Sequence, residues 1–65
     1  MYVIQIKGAG YVTGFNGQFM IVQVTAKRSA GRKFKTAAQA AAWVRKYADA
    51  GFGMNSDRTK VVAAE

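Results

Sequence analysis

The chain contains no cysteine, no histidine and no proline, and it sets three acidic residues against ten basic ones in 65 positions. Without cysteine there is no disulfide framework and no thiolate metal site, and without histidine the commonest remaining zinc ligand is missing. The same absences remove the usual general base and the cysteine nucleophile. Asp49, Asp57 and Glu65 are scattered in the sequence, so no convergent carboxylate pair is expected, and a Ser or Tyr nucleophile would have only Lys as its base. A non-enzymatic protein without a cofactor is therefore expected. Long apolar runs are missing too. The longest, at 40–44, is five residues, where a membrane span needs ~20. The opening Met1-Tyr2-Val3-Ile4 carries no basic leader. The expectation is a cytoplasmic product of a short gene, with no membrane partner.

What is present is a single small domain rich in apolar residues. A chain this short buries only about 60% of its unfolded surface, so its core is marginal without staples. Here 51% of residues are hydrophobic and eight are aromatic (Tyr2, Tyr11, Phe15, Phe19, Phe34, Trp43, Tyr47, Phe52). That is too apolar for intrinsic disorder. The net charge of +7 favours polyanionic partners: nucleic acid or an acidic protein surface.

Hydrophobic periodicity supplies the fold class. Residues 2–7 alternate, with Tyr2, Ile4 and Ile6 on one face and Val3, Gln5 and Lys7 on the other, which reads as a strand. Gly8-Ala9-Gly10 makes a turn, and 11–15 a second short strand weakened by Gly14. Asn16-Gly17 suits the two positive-φ positions of a type I′ hairpin turn. A third strand follows at 18–25, with Phe19, Ile21 and Gln23 on one side and Met20, Val22 and Val24 on the other. Apolar residues on both faces fit a central or covered strand; at an edge, its part from Phe19 to Thr25 would be a place for another chain to pair. Thr36-Ala37-Ala38-Gln39 has the form of a capping box, and Ala40, Trp43, Val44, Tyr47 and Ala48 fall on one helical stripe. A helix is expected over 37–50, stopped by Gly51 with Phe52 packing back. A last strand reads at 59–63. The expected fold is α+β, β-β-β-α-β or β-β-α-β, a small antiparallel or mixed sheet with the helix on one face. A right-handed crossover would lay the final strand parallel to the first or the third.

The candidate site is basic. Lys27, Arg28, Arg32, Lys33 and Lys35 place half of the ten basic residues in nine positions, and no acid precedes Asp49. Clustered Lys and Arg suit phosphate contacts, and this segment leads into a helix start at Thr36, whose dipole favours an anion. Arg45 and Lys46, farther along the helix, extend the patch or simply face solvent. Tyr11, Phe15 and Phe19 lie on adjoining strands, where aromatics either stack on unpaired bases or fill the core. The glycines at 8, 10 and 14 do not form a nucleotide-binding loop, because no helix follows them.

An opening Tyr2-Val3-Ile4 strand, a Gly-rich hairpin and a Phe34-x-Thr36-x-x-x-Ala40-x-x-Trp43 helix entry leading to a short closing strand resemble small uncharacterised accessory proteins of bacteriophages and other mobile elements. The resemblance spans most of the chain and implies a β-β-α-β type fold, a phage or prophage origin and a bacterial host cell. It assigns no site residues. Three function classes follow. The first is a nucleic-acid binder using 27–35 and the helix start. The second is a phage-encoded inhibitor or adaptor of a host enzyme or defence complex, acting by protein contact. The third is a structural homodimer joined through the third strand.

Overall fold

The computed structural model describes residues 1–19, 21–48 and 56–64. Tyr2–Ile6 forms β1, Gly10–Asn16 β2, Ile21–Thr25 β3 and Thr59–Ala63 β4; helix α1 covers Ala37–Ala48. Short 3-10 turns sit at Arg28–Ala30 and Ser56–Arg58. The strands make one four-stranded sheet in the order β3-β2-β1-β4, every neighbouring pair antiparallel. This is an α+β fold with the helix on one sheet face.

The alternation in β1 sends Ile4 and Ile6 to the helix side, where they join Val12, Val22, Phe34, Ala40 and Val44 in the core. Ile4 and Val12 are fully buried, and each such burial stabilises by roughly 1.5–3 kcal/mol. Thr36 caps α1: its Oγ1 accepts the Gln39 amide at 3.1 Å. The helix then buries Ala40 and Val44 and half-buries Trp43 and Tyr47, the stripe its sequence spacing predicts. The rings run in contact from Phe15 to Tyr47 at 4.5 Å, Tyr47 to Trp43 at 4.4 Å and Trp43 to Phe34 at 6.2 Å between centres. The helix stop expected at Gly51 and Phe52, and the strand position expected for Met20, lie outside the described residues.

The final strand corrects one expectation: β4 is antiparallel to β1, with Ile4 opposite Val61 and Ile6 opposite Thr59. The cause is an additional pass along the sheet. β3 ends at Thr25, level with Tyr11, which is level with Gln5. From there the chain runs back toward the start of β1. The Arg32 amide donates to the Val12 carbonyl at 2.8 Å, and Phe34 and Tyr2 exchange two 2.8 Å backbone bonds. The helix therefore begins at the Tyr2 end, and β4 starts at Thr59 beside Ile6. One extra reversal turns a parallel return into an antiparallel one.

Two smaller corrections concern the hairpin and β3. The turn after β2 is not a two-residue type I′ turn, since Asn16 pairs with Ile21 across a longer loop, and Gly8 and Gly10 are the positive-φ glycines. The Asn16 carboxamide oxygen instead accepts the Gln18 amide at 3.0 Å and the Phe19 amide at 3.3 Å. Those donors are taken from the ladder, so β3 starts at Ile21 rather than at 18. Of the positions left open for the third strand, β3 takes the edge, leaving Ile21 51% and Val24 42% exposed.

Candidate functional site

The sheet face turned away from the helix holds the candidate site. Successive cross-strand partners Lys60–Gln5, Gln5–Tyr11 and Tyr11–Thr25 form one row over all four strands. Directly opposed side chains share a face, and at ~4.8 Å per strand the row spans about 14 Å. The basic segment is folded down onto this same face. A Cβ at Gly31 would lie 3.3 Å from Tyr11 Cβ and 3.4 Å from Val3 Cγ1, so the bare glycine lets the loop sit against the sheet and seal Val3 at 0% exposure. The Arg28 guanidinium is thereby held over the Tyr11 ring, 5.6 Å from its centre. Lys33 folds back to the same turn, its Nζ donating to the Ser29 carbonyl at 2.7 Å.

At the Lys60 end the face dips into an open cavity of about 420 Å³, lined by Gln5, Lys7, Gly8, Asp57, Arg58, Thr59 and Lys60. Arg58 is fixed at both ends: its backbone carbonyl accepts the Lys7 amide at 2.9 Å, and its Nη2 donates to the Lys7 carbonyl at 3.0 Å. The cationic side chains here and the Arg28–Tyr11 pair lie on one continuous surface, joined by Gln5.

The cations expected as one patch are divided between two sides of the molecule. Arg28 and Lys33 belong to the open face. Arg32 lies over the core residue Phe34 at 5.6 Å, and Lys46 over Tyr47 at 5.3 Å, both on the helix side. Lys27, Lys35, Thr36 and Arg45 are exposed. The three aromatics, read as either stacking platforms or core, take different places. Tyr11 is on the open face, Phe15 packs on Tyr47 beneath the helix, and Phe19 stands 70% exposed beyond the end of β2. The cause is an irregularity between Val12 and Gly14, where β2 gains a residue against β3 and its later side chains change face.

Lys7, Arg58, Lys60 and Gln5 were not among the sequence-level candidates. The signal was available for three of them: Gln5 and Lys7 occupy the outward positions of the alternation in β1, and Lys60 sits one residue from the apolar pair Val61-Val62. Only the pairing of β4 with β1 brings them together. All ten basic residues lie among the described residues, with Asp57 as the one acid there. No described helix is long and apolar enough to cross a membrane. Compared with known proteins, the chain matches no family model, no curated protein and no solved structure.

Proposed function

We propose that the protein is a small non-enzymatic nucleic-acid-binding protein that lays a single strand across the open sheet face. The observation that carries this reading is the Lys60–Gln5–Tyr11 row with Arg28 lying over Tyr11. A base stacks on the outer plane of the Arg28 guanidinium, which the Tyr11 ring backs from below. The Gln5 carboxamide, next in the row, offers both a donor and an acceptor to a base edge. Phosphates are taken by Lys60, Arg58 and Lys7 at one end and by Lys33 and Lys27 at the other. Cations position the backbone without reading sequence, so affinity is mostly electrostatic. A face carrying one cation–aromatic pair suits splayed bases better than a duplex, whose bases are already stacked. The setting under this reading is the cytoplasm of a bacterial host, with the protein acting as a phage-type accessory component.

Two measurements test it together. Fluorescence anisotropy with a labelled single strand and the matching duplex is expected to show tighter binding to the single strand. Arg28→Ala and Tyr11→Ala are expected to remove that preference. Affinity capture from host lysate is expected to give nuclease-sensitive recovery. Nuclease-resistant recovery of one acidic host protein, with no oligonucleotide binding at low salt, would overturn the reading and assign the face to a protein partner.

A further inference from the structure

We infer that two copies of this chain pair β3 to β3 across a two-fold axis, making one continuous eight-stranded sheet. The two sheet edges differ in a way that points to this. Natural sheets guard their edges with charge, proline or irregularity. The β4 edge carries Lys60 and is preceded by Arg58. The β3 edge has no such guard: from Gly8 to Ala26 the sequence holds no charged residue at all, in a chain of net charge +7. On and beside this edge Phe19 is 70%, Ile21 51% and Val24 42% exposed. Among the described residues nothing pairs with the outer side of β3.

Charge selects the occupant. A polyanion or an acidic protein finds no cation on β3 from Ile21 to Thr25, whereas a second copy brings an equally neutral strand. The strand is also self-complementary. With the two-fold axis at Gln23, the midpoint of Ile21–Thr25, Val22 faces the partner's Val24 on the helix side. Ile21 faces the partner's Thr25 on the open side, and Gln23 faces the partner's Gln23. All residues of the strand then pair, and a shift in register would leave some unpaired. The open faces of both copies become one surface, so a strand long enough to cross both is held with avidity. The pairing itself needs no nucleic acid, so it stands or falls independently of the proposed function.

The test is sedimentation of nuclease-treated protein in high salt, alongside two variants. The wild type is expected to approach twice its 7.0 kDa mass as concentration rises. Ile21→Lys with Val24→Lys, at side chains already exposed, is expected to stay monomeric with an unchanged circular dichroism spectrum. Gln23→Cys is expected to form a disulfide-linked dimer on mild oxidation, because directly opposed residues lie ~4.5–5.5 Å apart at Cα, within disulfide reach. The chain has no other cysteine to confuse the result. A wild type that remains 7.0 kDa at millimolar concentration overturns the inference. So does a dimer that survives the double lysine variant, or a Gln23→Cys variant that does not cross-link.

Discussion

Replacing Gly10 with alanine tests the close backbone approach that starts the β2–β3 ladder. Gly10 has φ +122, and a Cβ there would sit 2.4 Å from the Thr25 carbonyl oxygen and 3.1 Å from its carbon. The obstacle is backbone, so relief requires opening the Tyr11–Thr25 pair that begins the β2–β3 ladder. The backbone conformation alone costs on the order of 1–3 kcal/mol for a residue other than glycine. A lost ladder hydrogen bond adds about 1 kcal/mol. A domain of this size holds only ~3–5 kcal/mol in total, so Gly10→Ala is expected to consume most of its stability. Gly17→Ala is the matched control: nothing lies within 4 Å of its added Cβ, and its φ is ordinary. There the smaller unfolded-state entropy is expected to leave stability unchanged or raise it by ~0.4–1 kcal/mol. Urea denaturation followed by Trp43 fluorescence reads both. Equal midpoints for the two variants would refute the reasoning, because they would mean that the Gly10–Thr25 approach does not constrain the fold.

Thr36→Ala removes the acceptor for the Gln39 amide and is expected to lower unfolding free energy by ~1 kcal/mol; Thr36→Ser is expected to restore most of it in the same denaturation assay. Asn16→Ala strips the acceptor from both the Gln18 and Phe19 amides. It is expected to cost about 0.5–1.5 kcal/mol and to raise amide hydrogen exchange at 18 and 19 more than in α1.

The elements legible in the sequence are those whose signal is local. Alternation over 2–6 and the apolar set at 59–63 mark β1 and β4, and the Thr36 cap with the Ala40, Trp43, Val44, Tyr47 stripe marks α1. The direction of β4 was not legible, because it depends on a long-range event: the segment from Arg32 to Phe34 pairing with Val12 and Tyr2 instead of hanging as a solvated loop. Asn-Gly reads as a tight turn from composition alone, yet the Asn16 side chain found two amides within its own loop. The site was half legible for the same reason. Arg28 and Lys33 stood out as a charge run, whereas Lys7, Arg58 and Lys60 are single cations that only β1–β4 pairing assembles. The irregularity after Val12 sends Tyr11 and Phe15 to opposite faces, and strict alternation gives no hint of that.

The salt dependence of single-strand binding tests the central claim most directly. If Lys7, Lys27, Lys33, Arg58 and Lys60 each meet a phosphate, the slope of log K against log salt is on the order of −3.5, at ~0.7 per contact. Replacing Lys7, Lys33 and Lys60 together with glutamine is expected to flatten that slope by about 2, while replacing Arg45 and Lys46 on the helix side leaves it unchanged. The reverse result, with the slope lost from the helix variant and kept by the open-face variant, would contradict the placement of the site.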